Sequence, residues 1–438
     1  MSRAGPAGAP EVADIVAMTH DGRGIARVSG KTVFVDGALE GESVSLVRTR
    51  RRRNFDEARL ERVLVNAPER VTPRCAYFGT CGGCTLQHVT RARQLELKQR
   101  VLLDSLERIG GVRPAGVLEP LSGPSWGYRR RARLGVRDVP GKGRVLVGFR
   151  ERAKPYVADM LRCEVLVPPF GGLVEPLSAL IGALDIRRQV PQIEIAAGDT
   201  RSALVLRVLV APSAADIETL RGFSAAHGLD LYLQTGGPGT VRPLDGDAVA
   251  LEYTLPRFGL TLAFEPTDFV QVNAALNRAL VGRVVDLLAP GRGDRVLDLF
   301  CGLGNFTLPL SLGAAHVTGV DGDRGLIARA RANAARNGIG NARFVTADLF
   351  DPSAACLREP ADLVLLDPPR AGAAEAVAAG AGRGARRIVY VSCHPASLAR
   401  DAGVLVRDHG FTLTAAGIAD MFPHTAHVES VAVFDARR

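Results

Sequence analysis

No stretch of the 438-residue chain approaches the ~20 consecutive apolar residues that span a bilayer, so no membrane-crossing helix and no membrane partner are expected. The opening MSRAGPAGAP also lacks the charged-then-apolar build of a signal peptide, and the expected location is cytoplasmic. There is no internal repeat and no long polar tract of the kind that stays disordered. Lysine is nearly missing: Lys31, Lys98, Lys142 and Lys154 stand alone, and arginine carries the remaining positive charge. A formal charge of +9 still favours a polyanionic partner such as nucleic acid. Because an arginine bias can be genome-wide, clustering counts for more than the total. Seven cysteines, an odd number without an export signal, argue against a disulfide framework and for metal or catalytic thiols.

At ~100–200 residues per domain, the length suggests about three domains. Residues 11 to 66 alternate apolar and polar positions in short runs (Val12 to Met18, Gly24 to Val28, Thr32 to Val35, Ser43 to Val47, Ala58 to Val65), which reads as a small β-barrel. Arg50, Arg51, Arg52 and Arg53 are expected in a loop between its later strands. Such a run is usually a solvated face, and a nucleic-acid role is only modestly favoured over that. A helix is expected over Ala92 to Ile109, ended by Gly110 and Gly111. From Tyr128 to Phe264 the pattern is mostly strands, interrupted by one helix around Ala214 to Ala226. After Phe264, apolar strands alternate with helices (VLDLF, HVTGV, RFVTA, DLVLL, RIVYVS), the signature of a doubly wound parallel sheet in an α/β domain. The segment Ala371 to Ala385 reads as a small-residue helix and loop.

VLDLFCGLGNF sets an apolar strand directly before Gly302 and Gly304, with a helix expected near Phe306. The glycines allow a tight turn and close approach of a ligand beside a helix N-terminus. A third glycine, required by the dinucleotide fingerprint, is absent: Thr307 holds that position, which disfavours pyrophosphate binding. Asp321 ends the second strand and Asp348 follows the third. A glycine loop with acids at successive strand ends suits S-adenosylmethionine, which carries a ribose, an adenine and a cation but no phosphate. DPPR, Asp367 to Arg370, ends the fourth strand. It finishes in arginine rather than an aromatic, which moves the reading away from amino-group methylation.

The fifth strand runs into Cys393. Carbon 5 of uracil is a poor nucleophile until a thiolate adds at carbon 6 and makes an enolate, so methylation there needs a cysteine. A base must then remove the carbon-5 proton. Glu429, beginning the last strand, is a candidate, with His424 and His427 as alternatives. Cys301 and Cys356 read as inert core residues. A flipped uridine would need a clamp, and FVQVN offers Phe269 and Gln271. Cys75, Cys81 and Cys84 have the spacing C-x5-C-x2-C and need a fourth ligand, for which Cys163 is the natural choice. Four thiolates suit zinc or an iron-sulfur cluster equally.

Together these motifs resemble the RNA uracil-5 methyltransferase family, over essentially the whole chain, and within it the branch acting on 23S rRNA. DGRGIARVSGKTVFVDGALEGE is similar to a TRAM domain, an OB-like RNA-binding barrel. The resemblance implies a 4Fe-4S cluster on Cys75, Cys81, Cys84 and Cys163, and S-adenosylmethionine contacts at Gln271, Phe300, Asn305, Asp321, Asp348 and Asp367. It further implies Cys393 as nucleophile and Glu429 as base. YRRRAR, Tyr128 to Arg133, matches a basic strand of the family. The expected division is a TRAM-like barrel over 8–67, a β-rich iron-sulfur domain over 68–265, and a class I, Rossmann-like methyltransferase domain over 266–438. The expected protein is a monomer whose partner is 23S rRNA. Three positions depart from the family pattern: His394 stands where asparagine is usual, Asp321 where glutamate is expected, and Asp348 where asparagine occurs. Rival readings are the same chemistry on tRNA or another rRNA site, a non-catalytic iron-sulfur RNA-binding protein, and an iron-sulfur redox enzyme.

Overall fold

The structure, a computed structural model, describes residues 9–437; the expected barrel start at residue 8 lies outside them. The chain forms two compact units. The first gathers the described residues up to Val101 with Glu151–Lys154 and His424–His427, and the second holds the rest.

In the first unit five strands, Glu11–Met18, Gly24–Val28, Lys31–Asp36, Ser43–Arg51 and Phe55–Val65, close into a barrel. Period-2 alternation drives the closure. Ile15, Ala26, Val33, Val35, Val44 and Leu46 point inward and are buried together; on the first three strands their neighbours are more exposed, while on the fourth Ser45 and Val47 are buried as well. Gly24 is required where the wall pinches, since a Cβ there would lie 2.8 Å from Ile15 Cγ2. The arginine run departs from expectation: Arg50 and Arg51 finish the fourth strand, and only Arg52 and Arg53 turn. Asp56 is the physical reason. Its buried carboxylate pairs with Arg48 and Lys31 and accepts the Arg52 N–H at 3.1 Å, fixing the corner. Burial would raise its pKa, but these donors hold it down at about 2.

The second unit contains a six-stranded sheet built from Arg131–Val139, Arg144–Gly148, Gln192–Ala197, Ser202–Arg207, Asp230–Gln234 and Val241–Pro243, and a hairpin of Leu251–Leu255 with Leu260–Phe264. Two helices accompany the sheet rather than the one expected. Ala214–His227 is capped by a Ser213/Asp216 capping box, and Val174–Ala183 buries Val174, Leu177 and Ile181 at helical spacing.

The remaining sheet carries the site. Its strands in chain order are Arg295–Leu299, His316–Asp321, Ala342–Thr346, Leu363–Leu366, Arg387–Ser392, Phe411–Ala419 and Glu429–Ala436. In space they run third, second, first, fourth, fifth, seventh, sixth, with Gly116–Val117 added at the edge. The reversal beside the first strand creates the switch-point crevice at the carboxyl ends. The expectation of a parallel sheet holds for five strands; the seventh is antiparallel to both the fifth and the sixth. The connection from Ala419 to Glu429 is too short for a crossover helix, so the chain must turn back. Helices Ala274–Leu288, Arg324–Arg336 and Pro395–Arg407 flank this sheet. In the alanine-glycine segment only Ala374–Ala378 is helical, because Gly380, Gly382 and Gly384 all take positive φ. Among the described residues no helix is long and apolar enough to cross a membrane.

Candidate active site

The glycine loop after the first strand is tied to the second by Asp321. One carboxylate oxygen accepts the Gly302 N–H at 3.0 Å and the other the Asp323 N–H at 2.8 Å. Gly302 and Gly304 have positive φ, as does Phe300, an unusual conformation for a bulky residue. It sets the Phe300 ring 6.0 Å from that of Phe350, an exposed aromatic beyond the third strand that sequence reasoning missed. Asp348 is exposed and accepts the Phe350 N–H at 2.9 Å. Asn305 is held on both sides: its Oδ1 accepts from Tyr253 Oη at 2.8 Å and Asn277 Nδ2 at 3.0 Å, and its Nδ2 donates to Asn277 Oδ1. Gln271 is half-buried; its carbonyl accepts from Arg130 Nε at 3.1 Å, and the Arg130 guanidinium lies over the Tyr253 ring. Phe269 is 71% exposed.

Asp298 also escaped sequence reasoning, although an acid inside an apolar strand is itself a signal. It is fully buried and accepts from Thr307 Oγ1 at 2.6 Å. Burial, with Asp367 and Asp321 nearby, pushes its pKa up to about 8. Asp367 is half-buried, and desolvation pushes it to about 7.

Register brings the expected nucleophile and base together. On the antiparallel fifth and seventh strands Ser392 is opposite Ser430; Cys393 follows in a bend just past the fifth strand and Glu429 opens the seventh, near enough for its charge to act on the thiol. Cys393 is half-buried, and burial followed by the charges of Glu429 and Asp367 pushes its thiol up to about 11, with Arg370 pulling the other way. Glu429 is 3% exposed, and burial with Asp367 raises its pKa well above the usual carboxylate range. Of the alternative bases, His424 is buried with Nδ1 taken by Gln94 Nε2 at 3.3 Å, and His427 is exposed. His394, where the sequence departs from the expected asparagine, has a structural task of its own. It caps helix Pro395–Arg407, its Nδ1 accepting the Ser397 N–H at 3.3 Å. Cys301 and Cys356 are buried.

None of the seven cysteines is in a disulfide. Cys75 is half-buried and Cys81, Cys84 and Cys163 are buried; the Gly83 N–H is 3.4 Å from Cys81 Sγ. Among the described residues no group of three or more His, Cys, Asp or Glu is gathered closely enough to hold a metal ion. The four thiols have the chemistry that an iron-sulfur cluster requires of its ligands.

The family model described as tRNA (Uracil-5-)-methyltransferase matches residues 244–437. The chain is 53% identical over 433 residues to the 23S rRNA (uracil(1939)-C(5))-methyltransferase RlmD of Stenotrophomonas maltophilia, covering 98% of each chain. It is 54% identical over 427 residues to the RlmD of Alkalilimnicola ehrlichii, covering 96% of this chain and 95% of the relative. The Pyrococcus abyssi tRNA (uracil-54, C5)-methyltransferase in complex with S-adenosyl-L-homocysteine superposes with a TM-score of 0.72 at 23% identity, covering 97% of this chain and 100% of that one, a likeness of fold. With half of its residues shared along nearly its full length with RlmD proteins, and a glycine loop and cysteine-ended strand set on one sheet edge, the chain belongs to the RNA uracil-5 methyltransferase family.

Proposed function

We propose that the protein methylates carbon 5 of a uridine in 23S rRNA, using S-adenosylmethionine and a covalent link through Cys393. The observation that carries this reading is the placing of Cys393, just past the fifth strand, within reach of the charge of Glu429 at the start of the antiparallel seventh, at the crevice of a class I methyltransferase sheet. The near-full-length likeness to 23S rRNA uracil-C5 methyltransferases supports the substrate. S-adenosylmethionine supplies the methyl group. The Cys393 thiolate adds to carbon 6 of the uracil, and the ring electrons it displaces make carbon 5 nucleophilic enough to take that methyl. Glu429 removes the carbon-5 proton, and the electron pair left behind expels the thiolate and restores the ring. A buried carboxylate of raised pKa is a stronger base than an exposed one, which suits that step.

In the same reading Asp321 takes the cofactor ribose with the acceptor capacity its two backbone contacts leave. Phe300, with Phe350, covers the adenine, and Gln271, Asn305, Asp348 and Asp367 complete the pocket. Phe269, exposed two residues before Gln271, stacks on the extruded base. The barrel, with the exposed Arg50 to Arg53, contacts RNA phosphates, and the protein works in the cytoplasm on rRNA. The decisive experiment incubates the protein with methyl-labelled S-adenosylmethionine and unmodified 23S rRNA and maps the product. Label in a single 5-methyluridine of that RNA is expected; label absent there but present in unmodified tRNA incubated in parallel would transfer the chemistry to the other substrate, and no label in either would end the reading.

The 4Fe-4S assignment to Cys75, Cys81, Cys84 and Cys163 belongs here too. It is supported by four cysteines outside any disulfide, by the glycine-flanked spacing and by the Gly83 N–H beside Cys81 Sγ. Anaerobically purified protein should carry about four irons per chain. Cys81→Ser should lose them and at least about tenfold in rRNA affinity, read by iron analysis and filter binding. A stable, iron-free Cys81→Ser protein with unchanged affinity and activity would remove any functional role for a cluster.

A further inference from the structure

Beside the site lies a buried polar cluster to which the chemistry above gives no task. Tyr390 is fully buried on the fifth strand, and Asp401 is 1% exposed on helix Pro395–Arg407. Asp401 Oδ2 accepts from Tyr390 Oη at 2.7 Å and from the Ala373 N–H at 2.8 Å. Its Oδ1 accepts from Arg400 Nε at 2.8 Å, and Arg400 reaches the Ala371 carbonyl at 2.8 Å. The turn that follows Asp367 is thus pinned from both its N–H and its C=O sides. Gly372 makes the approach feasible: at φ +84, a Cβ there would sit 2.7 Å from Asp401 Oδ2 and 2.9 Å from Ser397 Cβ. Burying a carboxylate and a phenol for stability alone is inefficient, because apolar packing of the same volume does as well or better. Such a cluster earns its place by fixing geometry.

What it fixes is the DPPR turn relative to the nucleophile. The helix carrying Asp401 begins at Pro395, two residues after Cys393, so one rigid element sets the cysteine at its N-terminus and grips the turn two helical turns further on. Three charged groups act on the Cys393 thiol. Glu429 from the last strand and Asp367 from the turn oppose its ionisation, and Arg370 from the same turn favours it. Arg370 is exposed, and the distance at which its charge acts depends on where the backbone of its turn is held.

We propose that Asp401 and Tyr390 are positioning residues for methyl transfer: they clamp the turn after Asp367 onto the helix that begins beside the nucleophile, and so set where Arg370 stands relative to residue 393. The inference rests on Cys393 being the nucleophile, and its test does not depend on turnover. In the full-length protein, alkylation of residue 393 by iodoacetamide is followed against pH by mass spectrometry of its peptide. Tyr390→Phe keeps the ring and leaves Asp401 with Ala373. It should slow alkylation about fivefold to tenfold below the thiol's midpoint, equivalent to a midpoint raised by up to about one unit. Arg370→Gln should slow it as much, and the double variant no more than Arg370→Gln alone, because both act through one charge. Turnover should fall by a similar factor with KM for S-adenosylmethionine within about twofold. If Tyr390→Phe lowers the melting temperature but alkylates like wild type, or if the two losses multiply in the double variant, the clamp has no role in the chemistry. Failure of the nucleophile reading would show elsewhere, as methylation surviving in Cys393→Ala.

Discussion

Cys393→Ala is expected to lower 5-methyluridine formation by at least about 10⁴-fold while leaving rRNA affinity within about twofold. The first number follows from the chemistry: without addition at carbon 6 the ring has no electron pair to offer a methyl donor. The second follows from the electrostatics of RNA binding, in which phosphate contacts by arginines dominate and one half-buried thiol contributes little. RNA carrying 5-fluorouridine at the target makes the test sharper. Fluorine at carbon 5 cannot leave as a proton, so wild-type protein should accumulate an adduct through residue 393, and the alanine variant should show none on a denaturing gel. The pH dependence has a defined sign. With burial, Glu429 and Asp367 holding the free thiol near 11, the reactive thiolate grows as pH rises. Glu429, also raised, gains its basic form in the same direction. Single-turnover rates should therefore climb from about pH 6 towards about pH 9 without a falling limb. A rate independent of pH over that range would mean that neither group limits the reaction.

Much of this arrangement is legible in the residues alone. Strand Arg387–Ser392 is a run of β-branched and aromatic residues leading into cysteine, and VLDLF followed by two glycines announces a ligand loop. What periodicity hides is partnership across the sheet. Cys393 and Glu429 lie far apart in the chain, and only the antiparallel return of the last strand brings the end of one strand and the start of the other to the same sheet edge. A wholly parallel sheet would have put Glu429 at the wrong end. Asp298 sits in plain view inside an apolar strand, yet its meaning depends on Thr307 Oγ1, which closes on it from the helix beyond the glycine loop. Tyr253 and Asn277 belong to the site only because a hairpin and a helix converge on Asn305. The helix Val174–Ala183 was obscured for a different reason: its short apolar run satisfies helical and strand templates alike. The cysteines are the reverse case, since their spacing speaks clearly while no closed metal cage is found among the described residues.

Glu429→Gln separates the two halves of the reaction and carries the second large effect. The amide keeps the shape of the side chain but cannot accept the carbon-5 proton, so methyl transfer should proceed once and then stall. Turnover should fall by about 10³-fold, within the range for losing a general base. Methylated RNA bound covalently to the protein should build up to nearly one per chain, visible with ordinary uridine as substrate. Cys393→Ala gives no adduct at all, so the pair of variants distinguishes formation of the link from its release. Stability measurements guard against the trivial explanation that the variant unfolds. Glu429 has a folded-state pKa raised by burial, so the native protein holds its proton more tightly than the unfolded chain does. The stability this confers is complete below the unfolded carboxylate pKa, and it is lost as pH rises through the folded value. Glutamine does not titrate and does not suffer that loss. The melting temperature of Glu429→Gln should match wild type near pH 5 and exceed it near pH 8, where the wild type must either keep a proton against the solvent or bury a charge. A variant more stable than its parent, dead in turnover and loaded with methylated adduct could not owe its inactivity to misfolding, and the carboxylate would be fixed as the group that ends the reaction. If it turns over normally, proton removal must pass to another acceptor at the crevice, and Asp367, half-buried, pushed up to about 7 by desolvation and near enough for its charge to act on Glu429, is the candidate.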